Sequence, residues 1–257
     1  MRKQILYWIF PLLFIASLAN ATNVSGLNVA IVPVANTSAS ARQAVLSKAL
    51  GQVLVKLSGN PTVMTVPAIQ NALDNMDVLI QSYSYLDQKQ SDGQGPLRLQ
   101  VTFDQSALKQ LLQRAGQAEW PSNRPLTLLW IQILNGNDTS VLSNTNDVAL
   151  SQEVQQAAKL RGIPILLPAM DLQDQSLVNE KTETFNQTLL KQVSDRYGTA
   201  AILAGNIQQN DGQWEGSWLL LMNDTPYQWR NKAGSIDVLF RTASEFHLCQ
   251  NVIIYFP

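Results

Sequence analysis

Two apolar runs, Ala200–Ile207 and Trp214–Met222, flank Asn210-Asp211-Gly212, and the rest of the chain is arranged about them. Asp-Gly tolerates positive φ, so the segment predicts a β-hairpin. Runs that are apolar at nearly every position belong to strands covered on both faces, which places this hairpin inside a sheet carrying helices. Leu126–Leu134 has the same character and predicts a central strand. Upstream, Leu27–Val34 predicts a first strand, with Pro33 marking an edge. Ala41, Val45, Ala49, Val53 and Leu57 recur every four residues beside Leu46, Leu50 and Leu54. That stripe predicts a helix over Ala39–Leu57, capped by Thr37-Ser38 and stopped at Gly59.

A short helix over Pro67–Asn75 follows. Val78–Leu86 alternates imperfectly between apolar and polar, whereas Leu97–Phe103 alternates cleanly with Leu97, Leu99, Val101 and Phe103 inward. Asp104 then caps a helix running to Ala115. The order β-α-α-β-β-α describes a compact α+β module. Trp120–Pro125, with two prolines and a turn cluster, marks a boundary. Beyond it come the central strand, a polar loop at Asn135–Asn146, a helix over Ser151–Leu160 ending near Gly162, and a short strand at Ile163–Pro168. A helix over Thr184–Arg196 leads into the hairpin, and Tyr227–Trp229 adds a further strand. Such alternation implies a partly parallel sheet extended by antiparallel strands. The predicted class is therefore α/β: an α+β module at 22–120, then an α/β module with a mixed sheet at 121–257.

Residues 1–21 read as an address. Arg2 and Lys3 precede the apolar run Ile5–Leu18, and Ala19-Asn20-Ala21 supplies a small-x-small cleavage site, so the mature chain is expected to begin at Thr22. The run is short for a membrane span, no later run approaches that length, and no cysteine stands at the cleavage point to carry a lipid. Cys249 is the only cysteine, which excludes an intramolecular disulfide and suits an exported protein of the bacterial periplasm. The 257 residues carry a net charge of -1, which lacks the basic excess that nucleic acid would require.

Candidate chemistry is sparse. Asp171 and Asp174 follow a buried strand, where ligands of open α/β sheets collect, and with Glu180 they could hold Mg²⁺ or Ca²⁺. That gives one functional alternative, a divalent-metal-dependent hydrolase. The competing reading has both acids capping a turn and the next helix. Trp214 and Trp218 lie an even number of residues apart and so share one strand face, lining either a carbohydrate or peptide groove or the core. The single histidine, His247, and Cys249 stand in no nucleophile-elbow context and make a poor zinc pair. No phosphate-binding loop is present, and no cofactor is expected.

The stretches Ala41–Val45, Gln52–Asn60, Gln81–Tyr85, Leu97–Phe103, Asn123–Pro125 and Arg161–Pro168 together resemble the bacterial family catalogued as domain of unknown function 2066, over roughly Gly26–Gly234. The resemblance implies an exported envelope protein of Gram-negative bacteria, without an assigned enzymatic role, and transfers no catalytic residue. More loosely, the element order in Arg124–Trp229 is similar to that of envelope lipoproteins that activate penicillin-binding proteins and of the amino-terminal domain of the periplasmic Tol translocation protein. Both are binding modules. Past Gly234 the chain departs from the family, and the apolar run in Glu245–Pro257 is expected to be a frameshifted or truncated terminus. The leading expectation is a non-enzymatic binding or scaffolding module for an envelope protein or cell-wall component, without a stable membrane span.

Overall fold

In the computed structural model, the structure describes residues 21–86, 96–136, 138–178, 185–222, 225–236, 238–240 and 242–243. The expectations for the leader, Glu180, His247, Cys249 and the segment Glu245–Pro257 lie outside the described residues. The chain opens with β1 (Ala21–Asn23) and β2 (Val29–Pro33), followed by α1 (Ala39–Ser58). Ser38 Oγ accepts the Ala41 N–H at 3.2 Å and Gly59 closes α1 in the left-handed region at φ 67, the cap and stop that the sequence signals. Then come α2 (Pro67–Ala72), β3 (Ile80–Leu86), β4 (Arg98–Phe103) and α3 (Gln105–Arg114), capped by Asp104.

β2, β4 and β3 form an antiparallel sheet in that order, with Pro33 on an edge strand where its missing N–H costs no ladder bond. Ala30, Val32, Leu99, Val101 and Phe103 are fully buried against Leu50, Val53 and Leu54 of α1 and Leu108 of α3. Two expectations shift here. The second helix stops at Ala72, and a 3₁₀ segment kinked at Asn75 carries the chain to β3, which starts at Ile80 rather than Val78. A register shift between Ile80 and Ser82 then puts Tyr83 opposite Val101 and Tyr85 opposite Leu99; Tyr85 packs against the core, whereas Tyr83 stays exposed. This bulge is the physical reason for the imperfect alternation.

The second half runs β5 (Asn123–Pro125), β6 (Thr127–Asn135), β7 (Asp138–Val141), α4 (Val148–Arg161), β8 (Ile165–Leu166), α5 (Leu172–Val178), α6 (Gln187–Tyr197), β9 (Ala201–Asn210), β10 (Gln213–Met222) and β11 (Thr225–Ala233). The sheet order is β11-β10-β9-β6-β7, with β8 also on β6. β6 is parallel to β8 and β9, while β7, β10 and β11 are antiparallel additions, so the fold is α/β with a mixed sheet. The hairpin turns at Asp211 and Gly212, both at positive φ (47 and 76), as a two-residue primed turn requires. The polar loop expected at Asn135–Asn146 instead contains β7, which pairs back on β6. Thr139 and Val141 are β-branched, and a sheet edge to pair with outweighs the polar composition.

The sheet buries both faces. One face carries Leu129, Ile131, Leu203, Ile207, Trp218 and Leu220 against Leu150 and Val154 of α4 and against Leu239 and Phe240. The other carries Leu128, Trp130, Ile202, Ala204, Leu219 and Leu221 against Leu190 and Val193 of α6. Among the described residues, no helix is long and apolar enough to cross a membrane.

The two halves are joined through β5. β5 pairs with β1, and Arg124 of β5 is fully buried. Its guanidinium donates to Lys56 O at 2.6 Å at the end of α1, to Gly162 O at 2.8 Å and Arg161 O at 3.4 Å at the end of α4, and to Pro121 O at 2.9 Å and Trp120 O at 3.3 Å. It also lies over the Trp120 ring, 3.9 Å from the centroid. Helix C-termini present unpaired carbonyls and a partial negative charge, so two of them converge on one cation. Gly162 is at φ 68, and a Cβ there would stand 2.6 Å from the guanidinium, so this glycine serves both the helix stop and the arginine.

Candidate functional site

Asp171 and Asp174 lie in the turn into α5, where the sequence places them, and both are fully engaged. Asp171 Oδ1 accepts the Gln173 and Asp174 N–H groups at 3.0 Å each, and its Oδ2 accepts from Arg196 of α6. Asp174, with no exposed side-chain surface, accepts from Arg196 through Oδ1, and through Oδ2 from the Tyr197 hydroxyl at 2.5 Å and from Met170 N at 2.9 Å. Met170 adopts φ 56, a conformation that this net of bonds sustains. The Asp171 carboxyl is held below its usual range, first by the Asp174 N–H and then by Arg196. The Tyr197 hydroxyl is pushed up by burial and by its bond to Asp174. The pair straps the turn to the end of α6, and no group of three or more metal-ligating side chains occurs among the described residues.

Trp214 and Trp218 do share a face of β10. Trp218 is 1% exposed and belongs to the core; Trp214 is half-buried at its margin. The Trp218 indole lies flat across the sheet, because its neighbours in space are Gly205 on β9 and Gly216 on β10. A Cβ on either would come within 2.7 Å of indole atoms. Trp229 stacks on it at 6.4 Å, Phe240 meets it edge-on at 5.4 Å, and its Nε1 donates to Asn231 Oδ1 at 2.6 Å. As a ligand platform, Trp218 is therefore corrected to a core residue: an indole buried under its own sheet's neighbours offers no face to a sugar.

The opposite face holds a site that the individual motifs did not mark. Strand pairing aligns two neighbouring rows across four strands: Gln132, Asn206, Ser217 and Arg230 in one, Leu134, Gln208, Glu215 and Lys232 in the next. Toward the other end of the same face the rows turn apolar, with Trp130, Ala204 and Leu219 aligned. The polar rows lie at the carboxyl ends of the parallel strands β6 and β9, the end at which open α/β sheets bind ligands. They floor a groove of about 610 Å³ lined by Leu134, Asn206, Gln208, Glu215, Ser217 and Arg230, among others. Lys232 pairs with Glu215 at 2.5 Å, and this contact, with the Asn210 amide, lowers the Glu215 carboxyl below its ordinary value. A signal was present in the sequence. Gln132, Asn206, Gln208, Glu215 and Ser217 interrupt strands that are otherwise apolar, with the spacing of two that puts residues of one strand on one face.

The family that matches is Domain of unknown function (DUF8605), over residues 21–121. The match is to a domain of unknown function, as the sequence resemblance implies, but the family is not family 2066. The matched region ends before β5, so it does not reach the groove. No curated protein matches the chain. Among solved structures, the chain is similar to the LpoB C-terminal domain from Salmonella enterica (11% identity, 42% of this chain and 80% of that one, TM-score 0.28). It is also similar to lipoprotein GNA1162 from Neisseria meningitidis (12% identity, 49% and 95%, TM-score 0.25) and to a formyltetrahydrofolate deformylase from Pseudomonas putida (11% identity, 74% and 88%, TM-score 0.21). Likenesses at these TM-scores carry no argument about function.

Proposed function

We propose that the chain is exported to the periplasm and acts there as a non-enzymatic binding or scaffolding module, engaging an envelope protein or cell-wall component through the groove on β6, β9, β10 and β11. The observation that carries this reading is the pair of polar rows set into an otherwise apolar sheet face at the carboxyl ends of the parallel strands. Support for a non-enzymatic role comes from the acids. All four carboxylate oxygens of Asp171 and Asp174 already accept hydrogen bonds or face Arg196, which leaves the alternative of a metal-dependent hydrolase without free ligands at that turn. Site-specific photo-crosslinking in cells tests the reading. A benzoylphenylalanine at Gln208 is expected to capture an envelope component that the same probe at Gln110, on exposed α3, does not. Arg230→Glu is expected to abolish the adduct. Equal capture from both positions, or none from Gln208, overturns the reading.

A further inference from the structure

The chemical class of the ligand can be drawn from the same groove, and the inference rests on the binding reading above. Asn206, in the middle of β9, is only 9% exposed, yet its side-chain amide forms no hydrogen bond among the described residues. Strands of this kind normally place Leu, Ile or Val at such a position, so a polar side chain there is unusual. The amide opens onto the groove, where a bound molecule would take the place of water as its partner. Across the row, Arg230 is exposed and takes part in no ion pair or hydrogen bond among the described residues. The other two charges of the groove answer each other, Lys232 to Glu215 at 2.5 Å. Among the described residues, the groove therefore presents one uncompensated positive charge, on a planar fork of N–H donors, beside an amide without a protein partner. Gln208 and the Ser217 hydroxyl complete the polar floor.

A guanidinium fork matches a carboxylate through two parallel hydrogen bonds. One free cation balances a monoanion, whereas a phosphate dianion would be left with uncompensated charge beside Glu215. We propose that the groove binds a carboxylate carried on an uncharged, amide- or hydroxyl-rich chain. Arg230 grips the carboxylate, and Asn206, Gln208 and Ser217 bond the groups that flank it. Two sources supply that chemistry, the glutamyl side chain of a peptide and a sugar acid.

The test titrates the full, isotopically labelled chain with four probes while following the side-chain amide signals of Asn206 and Gln208 and the backbone amide of Gly216. The probes are acetyl-Ala-Glu-Ala-amide, its Gln counterpart, glucuronate and glucose. At least one carboxylate probe is expected to give saturable shifts at all three positions, with its neutral counterpart binding roughly tenfold or more weakly, the usual scale of a charge-assisted bond. Whichever carboxylate saturates at lower concentration identifies the source. Arg230→Gln, checked for an unchanged melting curve, is expected to remove the difference between charged and neutral probes. Failure of both carboxylates, equal binding of the neutral counterparts, tighter binding of inorganic phosphate, or undiminished binding by Arg230→Gln each overturns the proposal. If crosslinking at Gln208 succeeds while these titrations fail, the ligand class falls and the binding surface stands. If both fail, both fall.

Discussion

Replacing Arg124 by methionine sets two large effects against each other. The guanidinium is fully buried, and three of its five carbonyl bonds are 2.9 Å or shorter, to Lys56, Gly162 and Pro121. A hydrogen bond from a charged donor contributes about 1.5–3 kcal/mol, and removing the donor leaves carbonyls orphaned at two buried helix ends. In the other direction, burial lowers the Arg124 pKa to about 10, so the charge itself costs about 3 kcal/mol in place, which methionine would relieve. The bonds outweigh that relief, and a net loss of about 2–5 kcal/mol is expected. Because the orphaned carbonyls belong to α1 on one side and α4 on the other, the variant should also uncouple the halves. Urea unfolding followed by tryptophan fluorescence and by far-ultraviolet circular dichroism measures both effects. The expected outcome is a lower midpoint and transitions that no longer coincide. A variant as stable as the parent, with coincident transitions, would refute the reasoning by showing that desolvation of the guanidinium governs the site.

Other outcomes follow from single side chains. Burial, reinforced by the charges of Lys159 and Arg124, lowers the Lys56 ammonium from 10.5 to about 8. The unfolded chain then binds more protons than the folded one between about pH 8 and 10.5. Stability should rise through that window by up to about 3 kcal/mol, having carried the full penalty below it. Denaturation at a series of pH values should show this rise, and Lys56→Met should flatten it. Gly205→Ala forces a methyl to 2.6 Å from the Trp218 ring and is expected to cost about 1–3 kcal/mol, read as a lower melting temperature. Asp174→Ala leaves Tyr197 and Met170 N without their acceptor and Arg196 with Asp171 alone, and about 2–4 kcal/mol should be lost. Calorimetry with Mg²⁺, Ca²⁺ or Mn²⁺ on the parent chain should show no heat and no shift in melting, since the turn's carboxylates are already bonded.

Local periodicity made much of this fold legible. The cap at Ser38, the stop at Gly59, the strand Arg98–Phe103 and the turn at Asp211-Gly212 each depend on residues adjacent in sequence, and each stands where the pattern puts it. Two kinds of departure occur. β7 pairs back on its sequence neighbour β6, Asn135 opposite Asp138, a local pairing that the polar composition masked, whereas β1 exists only through its pairing with the distant β5. Arg124 reads as a turn residue between two prolines, yet carbonyls 68 and 38 positions away make it the joint of the molecule. For the candidate sites, the sequence placed Asp171 and Asp174 correctly in their turn but could not show Arg196 and Tyr197 arriving from the next helix. The two glycines that let Trp218 lie flat, and the rows of the groove, become visible only once the register of four strands is known.

Coverage explains part of the groove. α6 has 11 residues, so it spans about 16 Å at 1.5 Å per residue, whereas the 10 residues of β9 extend about 33 Å. A helix of that length leaves part of the strand bare, and a bare stretch must be polar to remain soluble, which accounts for Gln208, Glu215 and Lys232 without any ligand. It does not account for Asn206. At 9% exposure this residue lies under the edge of the helical layer, where leucine would satisfy both packing and solubility. Asn206→Leu therefore separates a solvated face from a binding site. If the row is merely bare, the substitution leaves carboxylate titrations unchanged. If the amide is kept for a ligand, the variant is expected to melt no lower than the parent, because leucine packs better under the helical edge, and to bind the carboxylate probe roughly tenfold more weakly.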